Sequence, residues 1–231
     1  MRPDWRRPVL CLITDRRRLA AAMAHPETAW ETLLLSQIDG AVRGGVDVVQ
    51  IRERDVDAGV LAAFVRRCIA LTEGTAARIV VNDRVDVAMA AGAGSVHLRE
   101  DSIPTQSARQ ILGDGGLIGR SVHSAQGASA AGPADYLIAG SDFETASEPG
   151  APARLGLDGL RRVVKRAVGC PVWAVGGVTA PRLGEVTRAG ASGMAAIGAF
   201  IPSCEPGQLS MTVQKMSEEL RFCFDSPDRL P

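Results

Sequence analysis

The 231-residue chain predicts an α/β protein folded as a closed (β/α)8 TIM barrel. Three observations carry that expectation. Short β-branched runs alternate with longer helical patterns, the mark of a parallel sheet. The runs are near-continuously apolar, as strands buried on both faces must be. There are eight such strand-helix units, and a barrel of eight typically takes about 250 residues. The same alternation also permits a doubly wound open sheet, and the count of eight favours closure. Eight units leave no residue for a second unit, so residues 1–231 read as one domain with its core at about 9–222 and a frayed polar tail.

In chain order, Val9–Thr14 reads as the first strand and Glu27–Arg43 as the helix after it, ended by Gly44-Gly45. Val46–Arg52 and Ala58–Thr72 form the second unit, Arg78–Asn82 and Val85–Ala91 the third. Ser95–Leu98 precedes a helix near Thr105–Leu112, and Leu117–Val122 precedes a short helix near Ala125–Ala131. Asp135–Ala139 is the sixth strand, followed by a Gly/Ser/Pro-rich loop from Gly140 to Gly156 and a helix at Leu157–Val168. Pro171–Val175 with Pro181–Ala189, then Gly193–Ile197 with Gln208–Phe222, complete the array. Helices ending on Gly44, Gly92 and Gly190 use glycine as the left-handed cap, which is the punctuation of a βα repeat.

Composition excludes several classes of function. Net charge is zero and aromatics are 4%, so neither a basic stripe nor a base-stacking surface for nucleic acid is present. No apolar stretch approaches the roughly 20 residues of a membrane span. Val9 to Ile13 is too short for a signal-peptide core, and the chain reads as cytoplasmic. Five scattered cysteines without a C-x-x-C pair read as free thiols in a reducing compartment. A homo-oligomer is compatible with all of this.

In a βα barrel the chemistry lies at the strand C-termini. Polar and small residues collect there after seven of the eight strands. Gly176-Gly177 and Gly198-Ala199 follow the seventh and eighth strands, where barrels commonly bind phosphate through backbone N–H groups that no Cβ shields. Arg52 and Arg54 alternate by two and can point to one side, where guanidinium forks suit phosphate or carboxylate; an ion pair with Glu53, Asp55 or a neighbouring loop is the alternative. His123 follows the fifth strand and is the histidine placed for proton transfer. His97, within Val96-His97-Leu98, reads as a core residue, and His25 as exposed. Asp83 either caps the helix beginning near Arg84 or offers a hard oxygen to a metal.

These words together resemble the thiamine phosphate synthase/TenI superfamily. The matching stretches are Val49-Gln50-Ile51-Arg52-Glu53-Arg54, Val81-Asn82-Asp83-Arg84, Val96-His97-Leu98 and Gly119-Arg120-Ser121-Val122-His123-Ser124, then Phe143-Glu144-Thr145, Ala174-Val175-Gly176-Gly177-Val178 and Gly190-Ala191-Ser192-Gly193. The resemblance implies a TIM barrel in thiamine biosynthesis. The synthase branch joins an aminopyrimidine diphosphate to a thiazole phosphate with Mg²⁺ and releases pyrophosphate. By resemblance Gln50, Arg52, Asn82 and Ser121 hold the pyrimidine diphosphate, and Arg54, also a candidate substrate-binding residue, stands at the lysine of the second-strand motif. Thr145 and Ser147 supply hydroxyls, and Gly177 and Gly198 cradle the thiazole phosphate.

Besides Arg54, the chain departs from the synthase pattern at two further points. Ser102 stands where the synthase has a metal-binding Asp, with Asp101 one residue earlier, and Glu148 stands where it has a diphosphate-binding Lys. Reversing a charge beside a diphosphate costs several kcal/mol at contact range, even at an effective dielectric of about 20. These departures resemble the TenI branch, which aromatises a carboxythiazole phosphate without a metal, and His123 matches its acid/base histidine. The expectation from sequence is therefore a thiazole tautomerase with no cofactor. The alternatives are a divergent synthase that uses Mg²⁺ held at Asp83 and Asp101, and a non-catalytic binder of a phosphate ligand. In each case the partner is a phosphorylated thiazole-type small molecule, with no nucleic acid and no membrane.

Overall fold

The computed structural model describes residues 5, 7–25, 29–140 and 155–225. Eight parallel strands pair in chain order: β1 (Val9–Ile13), β2 (Val48–Ile51), β3 (Arg78–Asn82), β4 (Val96–Leu98), β5 (Ile118–Val122), β6 (Tyr136–Gly140), β7 (Val172–Val175) and β8 (Gly193–Ala196). β8 returns to β1, with Val9 opposite Gly193 and Leu12 opposite Ala196, so the sheet is a closed barrel and the open-sheet alternative falls. The helices are α1 (Arg16–Ala22), α2 (Trp30–Arg43), α3 (Ala58–Thr72), α4 (Val85–Ala91), α5 (Thr105–Leu112), α6 (Ala125–Ala130), α7 (Gly156–Arg166), α8 (Leu183–Arg188) and α9 (Leu209–Asp225). Among the described residues no helix is long and apolar enough to cross a membrane.

β3, α3, α4 and α5 have the bounds that periodicity and caps predict. The N-terminal third differs. Sequence pattern expects one helix from Glu27, whereas α2 begins at Trp30 and a separate helix, α1, occupies the β1–α2 connection. Its cause is local: Asp15 has extended backbone and its carboxylate accepts the Arg18 N–H at 3.0 Å, an N-cap. Three successive arginines hide this helix from a pattern search, because it shows no apolar stripe on its first turn. At the other end α9 runs on to Asp225, held by the buried Phe224. The expected helix over Pro181–Ala189 divides into a 3-10 turn, Ala180–Arg182, and α8.

Alternate strand residues face opposite ways. Leu10, Leu12, Val49 and Val81 pack outward under the helices, while Cys11, Val48, Val80 and Trp173 pack inside the barrel. The interior is filled by rings. Tyr136 and Trp173 stack at 3.8 Å between centroids with planes 11° apart. Trp5 meets both edge-on, at 6.0 and 5.2 Å, and His97 stacks on the opposite side of Tyr136 at 5.6 Å. The core therefore begins at Trp5 and not at residue 9. A Cβ on Gly119 of β5 would lie 2.1 Å from the Tyr136 ring and 2.5 Å from His97 Nδ1, so these rings need a glycine opposite them.

α9 is latched to the end of the barrel away from the strand C-termini. Arg221 donates to the carbonyls of Pro8 and Gly45 and to the carboxylate of Asp47, which also accepts the Leu10 N–H at 2.8 Å. Both side chains are nearly buried, at 10% and 13% exposure. Arg221→Ala leaves the Asp47 carboxylate only the Leu10 N–H and the more exposed Arg7, frees two carbonyls, and should cost about 2 kcal/mol. Urea denaturation of the variant against the parent reads this directly; a change below about 1 kcal/mol would show the latch to be unimportant.

Candidate active site at the barrel mouth

The mouth is braced where β1 and β2 end. The Glu53 carboxylate is buried and accepts three bonds: from Thr14 Oγ1 at 2.7 Å, the Arg16 N–H at 3.2 Å and the Arg16 guanidinium at 3.3 Å. Burial raises the Glu53 pKa, and the bonds from Thr14 and Arg16 oppose that rise. Thr14 Oγ1 in turn accepts the Arg52 N–H at 2.9 Å. Arg16 also grips Asp55 with two bonds of 2.6 and 2.8 Å, and Arg17 joins it at 2.5 Å. Glu53 and Asp55, the alternative partners suggested for Arg52 and Arg54, are thus held by the start of α1. The expectation that Arg52 and Arg54 point to one side assumed that both belong to the strand. β2 stops at Ile51, so period-two alternation no longer applies; Arg52 is half-buried and Arg54 is exposed.

Gln50, Asn82 and Ser121 share the inward parity of their strands and stand at the C-terminal ends of β2, β3 and β5. The barrel brings these three predicted residues to one ring. Ser121 Oγ lies 2.9 Å from His97 Nε2. Burial, with a smaller push from the Arg120 charge, lowers the His97 pKa to about 3 from the ordinary 6.5. His97 is therefore a core residue, as expected, and also a neutral partner that holds a site hydroxyl.

Arg120 points outward and clamps the β4–α5 loop, donating to the carbonyls of Glu100 and Ile103 at 2.8 Å each. The clamp presents Glu100 to the end of β5, where its Oε2 is 2.6 Å from His123 Nδ1. Sequence reasoning picked out His123 and missed this carboxylate partner, because no local pattern joins positions 23 residues apart. His123 is 61% exposed and lines a cavity of about 730 Å³ between α6 and α7, shared with Ser124, Gln126 and Arg162. Gln50, Asn82 and Ser121 do not line that cavity.

Asp83 has φ of +60°, in the left-handed region that Asp and Asn visit more readily than other non-glycine residues. It is not the helix cap offered as one reading: the N-cap of α4 is Arg84, which makes no side-chain capping bond. Asp83 Oδ2 instead lies 3.9 Å from the guanidinium of Arg99, which also pairs with Asp101. Among the described residues no three His, Cys, Asp or Glu side chains gather into a metal-binding group.

Gly176 and Gly177 have φ of +103° and +63°, the left-handed region that favours glycine. Gly198 and Ala199 open a 3-10 turn, Gly198–Phe200, whose own bonds run from Phe200 N–H to Ile197 and from Ile201 N–H to Gly198. The Gly198 and Ala199 amides are outside those bonds, as at any helix start. Thr145 and Ser147, with Glu148, lie outside the described residues.

The His97 environment has a consequence for stability. Between about pH 6.5 and pH 3 the unfolded chain binds a proton that the folded barrel does not. Stability from this residue is complete above the unfolded pKa and falls with pH by up to about 1.4 kcal/mol per unit in that window. Denaturation series at several pH values should show this slope shallower by one proton in His97→Gln; an unchanged slope would show that His97 titrates normally.

Three comparisons bear on this geometry. A family model described as thiamine monophosphate synthase matches residues 10–200. A thiamine-phosphate synthase from Roseiflexus castenholzii is 37% identical over 202 residues, covering 87% of this chain and 84% of that protein. Another from Azorhizobium caulinodans is 34% identical over 214 residues, covering 92% and 96%. The solved thiamine phosphate pyrophosphorylase from Pyrococcus furiosus superposes with a TM-score of 0.76 at 33% identity, over 94% of this chain and 96% of that one. Sequence and fold agree over nearly the whole barrel, and the chain belongs to the thiamine monophosphate synthase family.

Proposed function

We propose that this chain is a thiamine phosphate synthase, joining an aminopyrimidine diphosphate to a thiazole phosphate with release of pyrophosphate. This revises the tautomerase expectation drawn from Ser102 and Glu148. The observation that carries it is Asp83, held at φ of +60° at the mouth with Asp101 reached through the same guanidinium, in a chain whose relatives at 34–37% identity are named as synthases. The thiazole phosphate sits on Gly176-Gly177 and Gly198-Ala199, and the pyrimidine diphosphate faces Gln50, Arg52, Asn82 and Ser121. His97 fixes the Ser121 oxygen for that contact.

The donor set suits Mg²⁺ in its usual mode, which is one or two carboxylates completed by substrate phosphate oxygens and water. Asp83 and Asp101 would hold it once Arg99, 45% exposed, turns out towards solvent. An ion held there would supply positive charge beside the leaving pyrophosphate.

A second reading rests on a different observation, the 2.6 Å contact between Glu100 and His123. A carboxylate on Nδ1 orients the imidazole and leaves Nε2 to give or take a proton, which is what tautomerisation of a carboxythiazole phosphate requires. Assays of coupling and tautomerisation on one preparation separate the two. The synthase reading expects coupling that requires Mg²⁺ and falls at least about 100-fold in Asp83→Ala, with His123→Ala nearly silent. Tautomerisation lost by about 10²- to 10⁴-fold in His123→Ala, without coupling, would replace it. Ligand binding with neither reaction would identify a non-catalytic binder and defeat both.

A further inference from the structure

Three consecutive arginines open α1, and they are not equivalent. Arg16 is committed to Glu53 and Asp55, and Arg17 to Asp55. Arg18 donates its backbone N–H to the Asp15 cap, but its guanidinium has no hydrogen bond or ion pair with any described residue. It is nevertheless half-buried. None of its guanidinium nitrogens is fully buried, so the stem covers apolar surface while the head keeps a solvated charge that can meet an incoming anion.

Its place explains where an acceptor could come from. β1 pairs with β8 up to Leu12 opposite Ala196, so the start of α1 lies beside the turn that follows β8. A Cβ on Gly198 would be 3.3 Å from Arg18 Nη2, closer than most real Cβ contacts. Glycine at 198 therefore leaves the guanidinium room to stand over the backbone of the phosphate cradle. The cradle otherwise offers neutral amide donors, whereas a guanidinium offers a planar fork and a full charge to phosphate oxygens.

We propose that Arg18 is a phosphate-recognition residue, binding the ester oxygens of the ligand seated on Gly176-Gly177 and Gly198-Ala199. This rests on the phosphate-cradle reading above and deepens it. Arg18 makes the charge of the ester, and not the ring that carries it, the main determinant of affinity at this subsite.

Calorimetric binding of a thiazole phosphate and of the corresponding thiazole alcohol tests the proposal on the full chain. The parent protein should prefer the phosphate strongly. Arg18→Gln should weaken the phosphate about 10- to 100-fold, the range expected for losing charge-assisted bonds, and leave the alcohol unchanged. Arg18→Lys, which keeps the charge but not the fork, should fall between. Arg17→Gln, beside it in sequence but paired with Asp55, should bind both ligands as the parent does. A parent that prefers the phosphate while Arg18→Gln and Arg18→Lys keep that preference in full overturns the role of Arg18 and spares the cradle. A parent that does not distinguish phosphate from alcohol overturns the cradle itself, and the Arg18 role with it.

Discussion

What fills the barrel interior governs what is left at its mouth. An eight-stranded parallel barrel is a packed core and not a channel, so inward side chains must occupy it at the density of a crystal. Here Trp5, Trp173 and Tyr136 take that volume as interlocking rings, and Gly119 withdraws its side chain to admit them. His97 lies on top of the stack and belongs to both regions. Its ring packs on Tyr136 and its Nε2 reaches Ser121, the inward residue two positions beyond Gly119. The packing that stabilises the barrel thereby also fixes the charge state of a residue at the edge of the site, since a ring buried among rings cannot accept a proton near neutral pH.

The arginines divide the remaining work in a consistent way. Asp47 precedes β2 and accepts the Leu10 N–H; Asp135 precedes β6 and accepts the Ile118 N–H, both at 2.8 Å. Each of these buried carboxylates is met by an arginine from the helical layer, Arg221 from α9 and Arg109 from α5. The same device thus ties a strand start to an outer helix at two places around one end of the barrel. At the opposite end, Glu53 with Arg16 braces the β1 and β2 termini, and Arg120 braces the β4–α5 loop through main-chain carbonyls. Rigidity at that end comes from charge paired with charge and with backbone. Arg18 is set apart from this pattern by having no such partner among the described residues.

Synthase and tautomerase readings draw on different parts of the rim. The coupling site needs the inward ring of Gln50, Asn82 and Ser121 with the carboxylates of Asp83 and Asp101. The proton-transfer site needs Glu100 and His123, which face a cavity outside the barrel axis. Substitution of the family's usual residues at Ser102 and Glu148 weighs against diphosphate when taken alone. The identity shared with relatives named as synthases over most of the barrel weighs on the other side.

The amino-acid sequence by itself determined the architecture. Apolar runs of strand length, capped helical patterns and a count of eight are local or additive properties, and α3, β3, α4 and α5 could be placed to the residue from them. Gln50, Asn82 and Ser121 came from the family resemblance, and the closed barrel gives them one inward parity at the ends of their strands. Tertiary structure alone decided the rest. Glu100 meets His123, Arg99 stands between Asp83 and Asp101, Trp5 enters the core, and Arg18 comes to rest against Gly198. Apart from the short Arg99–Asp101 step, each pairing joins residues distant in sequence, and the partner is chosen by barrel closure and side-chain direction, which no periodicity encodes. Arg52 and Arg54 show the same limit from the other side. Their spacing suggested a shared face, but β2 ends at Ile51, before either arginine, so no strand rule applies.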